Sequence, residues 1–192
     1  MKSRWFAAIL ALLLLSAGAA GAELQKGRVK GRVFTSPDGI RFEVPLEFHL
    51  ASQEHHDLGF FRIVLRSPEY PTNHERAIVI DVEPGPGGVT EGTGEDAATI
   101  LSQFRLHKDW RFAETAVLSD VVTKGRGFPV RETLIAFRTD QATDRRISYA
   151  FGFTFSTEKH LARVFYLCKG MERTLDVEIG KLRELFETLE IP

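Results

Sequence analysis

The sequence predicts an α+β domain in which helices cover a central antiparallel sheet. Three observations carry that prediction. Several segments alternate apolar and polar residues at the two-residue period of a half-buried strand. The last four of these are separated by only a few residues, a hairpin distance, which makes them antiparallel neighbours. Two other segments place apolar residues three and four apart, the period of a helix with one buried face. A doubly wound parallel sheet would instead need a crossover of a dozen or more residues between paired strands.

In chain order, residues 1–22 have the three parts of a secretory signal peptide: basic Lys2 and Arg4, an apolar run from Trp5 to Leu15, and the small residues Ala20, Gly21 and Ala22. Cleavage is expected before Glu23. The run is shorter than the roughly 20 residues that span a bilayer, and no cysteine follows it to carry a lipid. The expected destination is the periplasm or the exterior, with no transmembrane segment left after cleavage.

Residues 23–35 read as a basic lead-in or first edge strand. Lys26, Arg28, Lys30 and Arg32 stand at every second position, so an extended chain would present four positive charges on one side. Residues 36–192 are expected to form a single domain. Ile40, Phe42 and Val44 alternate with Arg41 and Glu43 until Pro45 stops the run; Phe61, Ile63 and Leu65 do the same around Arg62. The stretch between them, with His49, Glu54, His55, His56 and Asp57, reads as a polar loop. Residues 77–82 are almost continuously apolar, as a central strand requires.

Residues 84–94 form a Gly- and Pro-rich loop, and Thr93 and Asp96 then take capping-box spacing ahead of Ala97, Ile100, Leu101 and Phe104. A helix is predicted over about residues 95–107. Four strands follow, at residues 116–122, 130–138, 147–156 and 161–169. The third is the clearest: Tyr149, Phe151, Phe153 and Phe155 point one way, and Ser148, Ala150, Gly152 and Thr154 the other. Leu175, Ile179, Leu182, Phe186 and Leu189 close the chain on a second helix, whose other side, with Glu178, Lys181, Glu184 and Glu187, is expected to face water.

Composition narrows the function. The chain carries 25 Lys and Arg against 26 Asp and Glu, which is not the balance of a nucleic-acid-binding protein. Its 15 Phe supply a substantial core. Cys168 is the only cysteine, so no intramolecular disulfide forms. It ends an apolar run, the setting of a buried, unreactive thiol.

The Gly-rich loop lacks the spacing of a phosphate-binding loop and holds no Lys or Arg, while Glu91, Glu95 and Asp96 would repel an anion at the helix start. His49, His55, His56 and Asp57 are the densest set of potential metal ligands. Adjacent strand residues point to opposite faces, so His55 and His56 could share an ion only on a loop, and no zinc-type spacing is present. No Ser sits in a G-x-S-x-G elbow. His160 and Cys168 share a strand face but lie roughly 27 Å apart at the strand rise, far beyond proton-transfer reach.

The stretch Ser36-Pro37-Asp38-Gly39-Ile40-Arg41-Phe42-Glu43-Val44-Pro45-Leu46-Glu47-Phe48, the late strand pair from Ile147 to Lys169 and the closing helix resemble the PsbP-like family. That family includes extrinsic photosystem proteins, a Ran-binding import factor and exported bacterial proteins. Phe48 stands where many relatives carry Trp. The resemblance implies an α/β/α sandwich and members that act mainly by binding partners.

The expected function is therefore that of an exported, non-catalytic binding or accessory domain working through a protein partner, with no cofactor indicated. Two alternatives remain open at this point. One is a metal- or carboxylate-dependent hydrolase around His49, Glu54, His55, His56 and Asp57. The other is a ligand carrier at a membrane surface, held to anionic lipid through Lys26, Arg28, Lys30 and Arg32. An open pocket on the small-residue face of residues 147–156 would favour the carrier.

Overall fold

The computed structural model describes residues 27–55, 61–67, 76–85, 112–139, 147–169 and 174–192. The expected leader, Lys26, His56, Asp57, most of the Gly-rich loop and the helix expected over residues 95–107 lie outside these. The described elements are β1 (Arg28–Lys30), β2 (Val33–Thr35), β3 (Arg41–Glu43), β4 (His49–His55), β5 (Phe61–Arg66), β6 (Arg76–Pro84), β7 (Phe112–Gly125), β8 (Phe128–Thr139), β9 (Ser148–Ser156), β10 (His160–Lys169) and a helix, α1 (Leu175–Thr188). Strands β1, β2 and β3 make a small antiparallel meander. The other seven form one sheet in the order β4-β5-β6-β10-β9-β8-β7, every neighbouring pair antiparallel. The hairpin-linked run from β7 to β10 is the one that short separations predict, and the apolar β6 lies inside the sheet.

The described fold is richer in strand than expected, for two reasons. Residues 28–35 are no tail. Gly31, at φ 64°, stands first in the two-residue turn between β1 and β2, where a II′ hairpin needs positive φ, and Phe34 is fully buried against Phe42, ring centroids 4.9 Å apart. The polar stretch from His49 to His55 is also a strand. Its alternation is broken because the register with β5 shifts between Leu50 and Ser52, so a period-two reading passes over it.

One sheet face packs against α1. Phe153 and Phe186 stack with centroids 4.7 Å apart, and Phe155 and Phe128 meet them at 5.2 and 6.4 Å from the Phe186 ring. The helix is rotated from its expected orientation: its buried residues are Glu178, Leu182, Leu185 and Phe186, so Glu178 turns inward rather than to water. The chain after α1 pairs with β3, Arg41 and Glu190 exchanging backbone hydrogen bonds of 3.0 and 2.7 Å. This ties the meander, the helix and the sheet into one body.

The opposite sheet face is apolar as well, with Val64, Val79, Ile135, Phe137, Ala150, Phe165 and Leu167 all buried. Both faces of this antiparallel sheet are therefore core, as in layered folds. The small-residue side of β9 belongs to this face and is filled rather than open. A Cβ built on Gly152 would lie 2.2 Å from Cδ1 of Phe165, so glycine is what lets that ring lie flat on β9. Replacing it, Gly152→Ala, should cost about 1–3 kcal/mol through overpacking, read as a lower urea midpoint with unchanged slope; an unchanged midpoint would show that the ring can move aside.

Candidate functional site

The two ends of the large sheet are treated differently. At one end β4 is short and tied to the meander: Gln53 accepts from the Gly27 amide at 2.7 Å and donates back to the Gly27 carbonyl at 3.0 Å. A side-chain amide thus imitates strand pairing and joins the meander to the edge. At the other end β7 runs for 14 residues with β8 as its one neighbour among the described residues. Val117, Leu118, Val121 and Val122 are 37–55% exposed there, a run of large apolar side chains on a backbone edge that no other described strand pairs, the combination that recruits another strand. The register slips at Ala113 and Leu118, which leaves residues 119–125 as the regular stretch.

This edge is held firmly from behind. On one face Arg131 donates to both Asp120 carboxylate oxygens, at 2.7 and 2.6 Å, and the Thr133 hydroxyl adds a bond of 3.3 Å. On the other face Glu132 accepts from Thr123 at 3.0 Å and from Arg183 of α1 at 2.8 Å. The β7–β8 turn is a third tie. Arg126 and Gly127 have φ of 53° and 87°, the two positive values of a I′ hairpin. From that turn the Arg126 guanidinium donates to the carbonyls of Phe186 and Leu189. The last turn of α1 has no basic residue of its own, so Arg126 supplies the positive charge that a helix C-terminus favours.

Beneath α1 lies a buried polar cluster. Arg76 donates to Glu178 at 3.1 Å and to Glu47 at 2.9 Å, Lys181 bridges the same two carboxylates at 3.3 and 2.7 Å respectively, and the Tyr166 hydroxyl donates to Glu178. Arg76 and Glu178 side chains are each 3% exposed. Burial, with the Glu178 carboxylate adding to it, pushes the Tyr166 phenol up, and the same two causes push the Cys168 thiol up to about 12. Cys168 is buried and stays a thiol at neutral pH, as its place in an apolar run predicts. Sequence reading misses this cluster because Arg76 and Glu178 are 102 positions apart and each alone resembles an ordinary surface charge.

Of the expected metal ligands, His49 and His55 are described, while His56 and Asp57 lie outside the described residues. The β4 bulge places His49 opposite Arg66 and His55 opposite Phe61, and these partners lie on different faces of the sheet, so His49 and His55 do not converge. His55 packs on Phe61, ring centroids 4.3 Å apart, with its Nε2 3.8 Å from Asp38. Among the described residues no group of three or more His, Cys, Asp or Glu could hold a metal ion. The described part of the basic row, Arg28, Lys30 and Arg32, is divided. Arg28 and Lys30 share the outer face of β1, but Arg32 enters the turn, where its Nε donates to the Val44 carbonyl at 3.2 Å. His160 opens β10 and its Nδ1 lies 2.9 Å from the Pro192 carbonyl.

No family model matches the chain, and no curated protein does. Among solved structures it is similar to the solution structure of cyanobacterial PsbP from Synechocystis sp. PCC 6803, over 90% of this chain and 96% of that one, at 10% identity and a TM-score of 0.49. It is also similar to a crystal structure from Bacteroides thetaiotaomicron VPI-5482, over 85% of this chain at 13% identity and a TM-score of 0.47; this chain spans 49% of that protein's length. No helix among the described residues is long and apolar enough to cross a membrane.

The Arg131 guanidinium beside Asp120 holds its carboxyl below the ordinary 3.8. A folded-state value below the unfolded one means that the stabilisation is complete above the unfolded pKa and is lost as pH falls through the folded one. Wild type should therefore exceed Asp120→Asn in urea midpoint by the full amount from about pH 5 upward, and the gap should close towards about pH 2. A gap that does not change with pH would contradict the pairing.

Proposed function

We propose that this chain is an exported accessory domain that holds a protein partner rather than performing catalysis, and that the partner docks along β7. The leader-like residues 1–22 support export to the periplasm or beyond. The observation that carries the docking site is the exposed apolar edge, Val117, Leu118, Val121 and Val122, on a strand anchored from both faces. An extended segment of a partner can add to such an edge through main-chain hydrogen bonds, with alternate side chains giving selectivity. Because Asp120, Thr123 and the Arg126 turn already fix the strand, little ordering is lost on binding. The β4 edge is short and mostly polar and carries no such run of exposed large apolar side chains.

A photo-crosslinking residue placed at 118 or 121, with position 28 on the meander as control, tests this in cells that make the protein. The expected result is one defined adduct from 118 and 121 and none from 28, abolished by Val122→Lys. No adduct at either edge position, or the same adducts from position 28, would refute the reading.

A further inference from the structure

A second, separate surface lies where the β1–β2 turn faces the segment between β3 and β4. Val29, Arg32, Val44, Leu46, Phe48 and His49 line a groove of about 530 Å³ there, within the usual range of small-molecule sites. Its floor is the buried Phe48, packed edge-on against Tyr166 at 5.9 Å. Its wall is unusual. Leu46 is 82% exposed and Val29 42%, and Leu46 is held outward by a tight turn in which the Phe48 amide donates to the Pro45 carbonyl at 2.9 Å. A leucine fixed in water beside an apolar hollow is a surface that a hydrocarbon chain would cover.

One charge stands at this groove in a fixed place. The Val44 amide donates to the Arg32 carbonyl at 2.6 Å, and the Arg32 Nε donates back to the Val44 carbonyl at 3.2 Å. The guanidinium is therefore held at the groove by its inner nitrogen, with its terminal nitrogens not engaged by any carboxylate among the described residues. A planar cation in that position suits a carboxylate, which it can grip with parallel bonds. Apolar lining, an exposed leucine and one positioned arginine together select a molecule with an aliphatic tail and a single anionic head.

We infer that this groove binds a single-chain aliphatic carboxylate, its tail along Val29, Leu46 and Phe48 and its head on Arg32. The site is independent of β7, so each reading stands or falls alone. Arg28 and Lys30, on the outer face of β1, take no part in it.

Titration of the mature chain with dodecanoate below its micelle-forming concentration tests the inference, followed by calorimetry and by methyl shifts of Val29 and Leu46. Saturable one-to-one binding is expected, with both methyl groups shifting. Arg32→Gln should weaken it about tenfold, the loss of a charge-assisted hydrogen bond, and Leu46→Ser should weaken it about threefold or more. Both residues are solvent-exposed, so circular dichroism should be unchanged. Dodecyltrimethylammonium, with the same tail and opposite charge, should bind at least about tenfold more weakly. The inference is overturned by any of the following: no saturable binding, equal affinity for the two head groups, an Arg32→Gln variant that binds as wild type does, or a response seen only with anionic vesicles and lost on Arg28→Gln/Lys30→Gln.

Discussion

The placement of α1 depends on one buried ion pair. Arg76 leaves β6 and meets Glu178 of the helix, both side chains 3% exposed. Taking each ion out of water costs several kcal/mol, and their attraction offsets this only when the remaining donors and acceptors are satisfied. Here Tyr166 and Lys181 fill the rest of the Glu178 carboxylate, and Glu47 takes a second bond from Arg76 and another from Lys181, so that of this cluster's side-chain atoms the Arg76 Nε is the one buried without a hydrogen bond among the described residues. Lys181 and the Arg76 guanidinium hold the Glu47 carboxyl below its usual range, the Lys181 hydrogen bond contributing most. A helix rotated by one position would leave Arg76 buried without Glu178.

What rests on this helix reaches both ends of the molecule. Towards β7, Arg183 bonds Glu132, and the carbonyls of Phe186 and Leu189 receive Arg126 from the hairpin turn. Towards the meander, Thr188 accepts from the Glu43 amide at 3.0 Å and Glu190 pairs with Arg41. The exposed edge and the groove beside the β1–β2 turn are thus positioned by the same element. On the far sheet face the recurring device is arginine with a carboxylate: Arg62 grips Asp81 through two bonds of 2.7 Å, and Arg163 meets Glu83 at 2.5 Å. Burial pushes the Asp81 carboxyl up despite the Arg62 bonds that pull it down.

The strands that alternate were legible in the sequence for a simple reason: β5 and β9 keep period two, and β8 and β10 stand within hairpin reach of β9. β4 was not, because its bulge reverses the pattern midway and its residues are mostly polar. The β1–β2 turn carried its signal in Gly31, but the basic row around it suggested a solvated segment, and only the burial of Phe34 reveals a packed hairpin. The last helix was placed correctly along the chain and misjudged in rotation, since a charged residue at the buried position looks like a surface residue until its partner is known. The candidate surfaces were less legible still. The apolar character of residues 116–122 was plain, but that Val117, Leu118, Val121 and Val122 stay exposed follows from β7 ending the sheet, and the groove needs Arg32 and Leu46 brought together by the meander. Local pattern encodes the strands; pairings across 29 to 102 positions decide what is buried.

The most direct test of the buried pair's role is a double-mutant cycle of Arg76→Met and Glu178→Leu, followed by urea unfolding at neutral pH. Each single change should cost about 3–5 kcal/mol by stranding the opposite charge, and the double variant should recover most of that loss. Single changes within about 0.5 kcal/mol of wild type, or two losses that simply add, would mean that the helix is placed without this pair.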